Sequence, residues 1–142
     1  MADKYNKYRE LISRIDLAIE GGFYLEATWI AYSILEDRLV SALKESGGGP
    51  PIRMLGPKIG EIKYRHTNSL KMRQAFFGDM IQRLSNWKDK RNDLMHALAD
   101  ERLDVPSIDA ESKSVALEGR GLAREFSAAC KRFKKLNAKA SI

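Results

Sequence analysis

Apolar residues recur at helical spacing along nearly the whole chain. In the first segment Leu11, Ile12, Ile15, Ala18 and Ile19 form one stripe, which stops at a pair of glycines. Steps of three and four residues place such side chains on one helix face, so the pattern predicts an amphipathic helix. No alternating β-branched run competes with this pattern anywhere in the chain, and we therefore expect an all-α fold.

The second segment is apolar on nearly all sides in its first half. Its large apolar residues are Phe23, Leu25, Trp29, Ile30, Ile34 and Leu35. Such a distribution predicts a central helix that is buried on several sides. The run of three glycines and two prolines at residues 47–51 should end this helix.

Three further helical segments follow. Residues 58–66 (KIGEIKYRH) predict a short helix, and TNS at residues 67–69 supplies capping residues for the next one. A stripe from Phe76 to Leu98 predicts one long helix, and another from about Glu111 to Lys135 predicts the last, with Pro106 ending the loop between them. Together these segments predict a single domain over residues 1–142, an up-and-down bundle of four to five helices.

Composition narrows the class of protein. The chain has 142 residues, 44% hydrophobic and 31% charged, and no apolar run approaches twenty residues. We therefore expect a globular cytoplasmic protein with no membrane contact, and the single Cys130 suits a reducing compartment. His66 and His96 lack further ligands at metal-binding spacing, so neither a metal nor another cofactor is expected. The net charge of +6 favours an acidic partner such as nucleic acid.

The segment KRNDLMHAL, residues 90–98, carries the candidate chemistry. Arg91 falls on the seam formed by Leu84, Trp87, Leu94 and Leu98, where the spacing calls for an apolar residue. A buried arginine needs partners for its donors, unless its long stem reaches water. Asn92 and His96 share a neighbouring helix face, so the three polar side chains can converge on one edge of the helix. A fixed positive charge, an amide and a titratable imidazole together suit a phosphodiester substrate.

This arrangement resembles the HEPN domains of prokaryotic toxins and defence systems. The resemblance rests on the R-x4-H motif within WKDKRNDLMHAL, and YLEATWIAYSILEDRLVSAL is similar to the acidic and apolar second helix of such domains. It implies a metal-independent endoribonuclease that acts as a homodimer, with two motifs facing one cleft and an antitoxin protein as a further partner. It also implies that His96 is the acid/base group, Arg91 the phosphate ligand and Asn92 an orienting residue. Leu98 stands where some members carry a tyrosine, which puts regulation through such a tyrosine in doubt.

The chemistry of metal-free RNA cleavage also favours a dimer. Attack by a ribose 2′-hydroxyl on its own phosphate needs a base for the nucleophile and an acid for the leaving oxygen. One motif supplies one histidine, so either His66 joins it or a second copy supplies another His96. DNA lacks the 2′-hydroxyl, and this route is therefore restricted to RNA.

Further residues are expected to support the motif. Arg83, Lys88 and Lys90 are candidates for RNA contacts, and Glu36 is a candidate to pair with Arg91 and orient it. Two alternatives remain open. In one, a non-catalytic helical dimer uses the same residues to bind RNA, a nucleotide or a partner protein. In the other, the chain is a structural interaction module in which a buried Arg91–Glu36 ion pair is an anchor.

Overall fold

The computed structural model of the chain describes residues 2–100 and 104–140, and within these ranges every regular element is a helix. The six helices are α1 (Ala2–Glu20), α2 (Tyr24–Glu45), α3 (Leu55–Thr67), α4 (Leu70–Ala75), α5 (Met80–Asp100) and α6 (Val105–Ala140). The predicted all-α class is confirmed. The predicted count of four to five helices is too low.

The additional helix arises because the helix expected to begin after the capping residues 67–69 is interrupted at residues 76–79, which separates α4 from α5. The chain leaves helical geometry between α4 and α5, where Gly78 has a φ of 67°, a value that glycine adopts at little cost. The ring of Phe76 turns into the core and packs 5.7 Å from that of Phe126. Arg132 of α6 donates two hydrogen bonds, of 3.0 and 2.7 Å, to the carbonyl of Ala75 and so satisfies the end of α4. Ser69 caps the start of α4, as predicted, by accepting from the amide of Met72.

The second helix occupies the expected central position. It packs most extensively against α6 and also contacts α1 and α3. The turn before it ends α1 at the predicted glycine pair, where Gly22 has a φ of 80°. However, three apolar side chains expected in the core are exposed: Phe23 at 60%, Leu25 at 40% and Trp29 at 74%. The helix is therefore buried on several sides but has an open apolar side near its start.

The last helix is longer than the pattern predicted, beginning at Val105 rather than near Glu111. The Asp104 carboxylate accepts a hydrogen bond from the amide of Ser107, and the side chain of Ser107 together with this amide lowers the pKa of Asp104. Pro106 lies in the first turn of α6, where its missing N–H needs no partner, and so it does not end the preceding loop. Within the described residues, no helix is both long enough and apolar enough to cross a membrane.

Candidate functional site

Arg91 lies at the edge of the buried seam of α5, where it faces α2. Its neighbours on the seam, Leu84, Trp87 and Leu94, are fully buried, whereas Arg91 is half-buried. Its guanidinium group lies over the ring of Tyr32, with 4.2 Å between the guanidinium carbon and the ring centroid. A planar guanidinium that stacks on an aromatic face keeps its N–H groups available at its edge. The ring of Tyr32 thus explains how an arginine is accommodated on an otherwise apolar seam.

The structure brings Asn92 to Arg91 but leaves His96 apart from both. Nη1 of Arg91 donates a hydrogen bond of 3.2 Å to Oδ1 of Asn92 at the surface. His96 is exposed, and among the residues that the structure describes it has no hydrogen-bond or ion-pair partner. It lies five residues after Arg91, about 140° around the helix. The expected convergence of the three side chains is therefore observed for two of them.

A surface cavity of about 400 Å³ opens beside Arg91. Within the described part of the chain, α5 contributes Arg91 to its lining and α2 contributes Trp29, Tyr32, Ser33, Glu36, Asp37 and Val40. These six positions recur at steps of three and four, so they form one face of α2. The cavity therefore has a positive group on one side and an aromatic, acidic helix face on the other.

Glu36 lies in this cavity, but its ion pair differs from the one that the sequence suggested. Its carboxylate is 3.4 Å from Nζ of Lys58, which is almost fully buried and also donates a hydrogen bond of 3.0 Å to the carbonyl of Arg53. Among the described residues, no ion pair joins Glu36 to Arg91. The buried ammonium of Lys58 needs a counter-charge, and Glu36 provides it. Since Arg91 is half-buried on Tyr32, the proposed Arg91–Glu36 anchor is not formed.

Tyr32 connects these charged groups. Burial raises the pKa of its hydroxyl above the ordinary value of 10.0, and the nearby carboxylate of Glu36 raises it further, while Arg91 opposes the change. Tyr32 therefore remains protonated at neutral pH, as an uncharged group beside Glu36 and Arg91.

Two of the three candidate RNA contacts on α5 point away from Arg91, toward α6. Arg83 donates two hydrogen bonds of 2.8 Å to the carboxylate of Glu125, which raises the pKa of the guanidinium and lowers that of Glu125. Lys90 is 3.1 Å from the carboxylate of Glu118, so both residues lie on the side of α5 that faces α6. Lys88 is 3.1 Å from its neighbour Asp89.

His66 is held within the fold by a hydrogen bond to the backbone. Nε2 of its ring is 2.8 Å from the carbonyl of Phe76, which links the end of α3 to the turn before α5. To make this bond, Nε2 must carry the proton. In the part of the chain that the structure describes, there is no group of three or more histidine, cysteine and carboxylate side chains close enough together to hold a metal ion.

Two members of the site could not be recognised from the motif itself. Tyr32 and Trp29 lie on a helix about sixty residues earlier than Arg91, and no local spacing connects the two segments. One signal was available: Trp29, Tyr32 and Glu36 are three and four residues apart, so a helix must place them on one face. Which face would meet Arg91 depends on tertiary packing.

Comparison with other proteins does not add to this assignment. No protein-family profile, no characterised protein and no solved structure matches the chain. The motif and the geometry around it are therefore the basis for assigning a function.

Proposed function

We propose that the protein is a metal-independent endoribonuclease of the HEPN type, which cleaves RNA at a site shared by two copies of the chain. The observation that carries the proposal is the state of the three motif residues. Arg91 is stacked on Tyr32 and hydrogen-bonded to Asn92, so it is held in place, while His96, nearby on the same helix, is exposed and has no partner among the described residues. A fixed cation and a free imidazole are the two groups that this chemistry needs.

Each residue has a defined role in the proposed reaction. Arg91 neutralises the phosphate through the N–H groups that Tyr32 and Asn92 leave available. A neutral histidine takes the proton of the ribose 2′-hydroxyl, whose oxygen attacks the adjacent phosphorus. A protonated histidine gives a proton to the 5′-oxygen as its bond to phosphorus breaks. The products are a 2′,3′-cyclic phosphate and a free 5′-hydroxyl.

The position of His66 supports the requirement for a second copy. Because its ring nitrogen is engaged with the carbonyl of Phe76, His66 is a poor source of the second proton-transfer group. A two-fold axis near the exposed edge of α5 would instead bring two His96 side chains to one cleft. In this arrangement one histidine acts as the base and its counterpart as the acid.

The nature of the products tests this chemistry directly. Purified protein is incubated in EDTA with a short single-stranded RNA and with the same RNA carrying one 2′-deoxy nucleotide at the cleaved position. We expect cleavage of the first, with a 2′,3′-cyclic phosphate detected by mass spectrometry, and none at that position in the second. Cleavage of the deoxy substrate at the same bond would refute attack by the 2′-hydroxyl.

The resemblance also assigns the chain a biological role, as a toxin or a component of defence against mobile elements. Under this proposal, induced expression of the chain in bacteria should arrest growth, and expression of the His96→Ala variant should not. Equal growth of the two strains at equal protein levels would argue against the toxin role.

A second candidate function is a non-catalytic dimer that binds RNA, a nucleotide or a partner protein. It is favoured by one observation: Arg91 turns toward the cavity on α2, whereas His96 points to solvent and does not line that cavity. If this candidate is correct, His96→Ala should leave both RNA affinity and RNA integrity unchanged, while Arg91→Ala weakens binding.

A further inference from the structure

The cavity beside Arg91 combines features that a phosphate ligand alone does not require. Trp29 is 74% exposed at its rim, although a tryptophan in this apolar helix would be expected in the core. The volume of about 400 Å³ lies near the lower end of the range of about 300–1,000 Å³ that is usual for small-molecule sites. The cavity therefore has room for one nucleobase next to a phosphate bound by Arg91.

Apart from Arg91 and the hydroxyl of Tyr32, the polar groups that line the cavity are acceptors. The hydroxyl of Ser33 donates its proton to the carbonyl of Trp29 at 3.0 Å, which leaves only lone pairs for a ligand. Glu36 and Asp37 are carboxylates with bonds to Lys58 and Arg38, and each retains further lone pairs. A ligand that enters this space therefore binds most tightly if its edge carries hydrogen-bond donors.

We infer that this cavity is a subsite for a nucleobase of the RNA and that it prefers guanine. Guanine presents an N–H and an amino group side by side, which match the two oxygens of one carboxylate, whereas uracil presents a single N–H. Trp29 supplies the aromatic face on which the base stacks. The inference rests on the proposed function, because it takes Arg91 as the ligand of the phosphate attached to that base.

The lining also favours a base over a protein partner. A protein interface buries its aromatic anchors among apolar neighbours, and charged groups are depleted at its centre. Here the neighbours of Trp29 within the cavity include the two carboxylates, Ser33 and Arg91. Stacking on one side and hydrogen bonding on the other is the usual way in which an unpaired base is recognised.

Binding to RNA that cannot be cleaved tests the subsite separately from catalysis. The probes are fluorescein-labelled, fully 2′-O-methylated oligouridines that carry one central guanosine, adenosine, cytidine or uridine, titrated with the full chain and followed by anisotropy. The variants are Trp29→Ala, Glu36→Gln and Asp37→Asn. Tyr64→Ala is the matched control, since it removes another exposed aromatic side chain, on α3. Thermal melting verifies the fold of each variant.

We expect the guanosine probe to bind roughly five- to a hundredfold more tightly than the uridine probe. Trp29→Ala should weaken guanosine binding by a similar factor, the usual effect of removing a stacking partner. Glu36→Gln or Asp37→Asn should reduce the preference for guanosine without reducing affinity for the uridine probe. Tyr64→Ala should change neither. In the wild type, the guanosine probe should also quench tryptophan fluorescence, because Trp29 is exposed while Trp87 is buried.

Several results would overturn the inference. Equal affinity for all four probes would do so, as would an unchanged affinity in Trp29→Ala. If Trp29→Ala instead splits a dimer in light scattering, the side chain belongs to a protein interface. Guanosine monophosphate that binds as tightly as the oligonucleotide would move the assignment from RNA to a free nucleotide. Guanine-selective binding without cleavage would refute the proposed ribonuclease activity but support the guanine subsite. Cleavage without base selectivity would support the ribonuclease activity and refute the subsite.

Discussion

At the scale of single residues, the observed partner of Arg91 differs from the one that the sequence suggested. The seam position of Arg91 could be recognised from spacing alone, because its neighbours at three and four residues are apolar. Its partner could not, since Glu36 and Tyr32 lie four residues apart on the same face of α2 and either could meet a long arginine side chain. Burial of Lys58 decides between them, because that ammonium takes Glu36 and leaves the ring of Tyr32 to Arg91.

Substitutions of Arg91 should separate charge from geometry. Arg91→Ala should weaken both RNA binding and turnover, each by roughly ten- to a hundredfold, since hydrogen bonds to charged groups contribute about 1.5–3 kcal/mol. Arg91→Lys should recover only part of either, because an ammonium keeps the charge but loses the planar group that stacks on Tyr32. Anisotropy and single-turnover cleavage give the two quantities. Arg9→Ala, at an exposed position of α1, is the control, and an equal loss there would point to a general effect of net charge.

Two glycines in α6 provide a matched test of packing. A methyl group at Gly119 would come 2.8 Å from the ring of Trp87 and 3.1 Å from the side chain of Ala31, whereas one at Gly121 would meet nothing within 4 Å. Gly119→Ala should therefore destabilise the fold by about 1–3 kcal/mol through overpacking. Gly121→Ala should stabilise it by up to about 1 kcal/mol, because alanine is the better helix former. Urea unfolding measures both, and a stabilised Gly119→Ala would mean that α6 does not approach α5 and α2 so closely.

At the scale of elements, α5 packs mainly against α6 and α3, and it reaches α2 through the side chain of Arg91. Toward α6 the contacts include the buried hydrogen bond of 2.9 Å from Trp87 Nε1 to the carbonyl of Val115 and ion pairs from Arg83 and Lys90. Toward α2 the contact is the stacking of Arg91. Two of the basic residues that the sequence suggested for RNA, Arg83 and Lys90, thus face α6, and glutamates of that helix offset their positive charge locally.

The Arg83–Glu125 pair should make stability depend on pH. The hydrogen bonds from Arg83 hold the pKa of Glu125 below its ordinary value of 4.5. A carboxylate with a depressed pKa in the folded state stabilises that state above its ordinary pKa, and this contribution is lost as the pH falls through the lowered value. Glu125→Gln should therefore reduce the free energy of unfolding at neutral pH, but not in acid below the lowered pKa. The side chains are 39% and 41% exposed, so the neutral-pH effect should not exceed about 1 kcal/mol.

Chemical unfolding at a series of pH values measures this difference. Glu10→Gln is the control, because it removes a more exposed ion pair, with Arg14 one turn away on α1, and it should change the profile less. A Glu125→Gln variant that loses the same stability at every pH would show that the glutamate contributes through packing and not through its charge.

At the scale of the whole molecule, much of the fold could be predicted from periodicity, but the residues at which the helices begin and end could be predicted less well. The class, the central place of α2 and the glycine turn after α1 follow from spacing and from turn residues. The break before α5 was missed because Phe76 continues the apolar stripe, although it enters the core from a turn. The exposed Trp29 was missed because periodicity identifies an apolar face but does not say whether another element covers it.

The proposed site also requires an assembly that one chain does not provide. We predict a homodimer whose interface includes the exposed edge of α5 around His96 and Leu98, since Leu98 is 39% exposed at the end of the apolar seam. Light scattering at micromolar concentration should give twice the mass of the chain, and Leu98→Glu should shift it toward the monomer with loss of turnover. A wild-type monomer at these concentrations would contradict the shared site.

The central claim is that His96 transfers protons in RNA cleavage, and the most direct measurement compares the wild type with His96→Ala on one RNA substrate in EDTA. We expect His96→Ala to lower single-turnover cleavage by about a hundredfold to ten-thousandfold, the usual effect of general acid–base catalysis, while RNA affinity stays within a few-fold of the wild type. His66→Ala, once its fold is verified by circular dichroism, should retain cleavage. Activity that survives the loss of His96, or that appears only when magnesium is added, would contradict the claim.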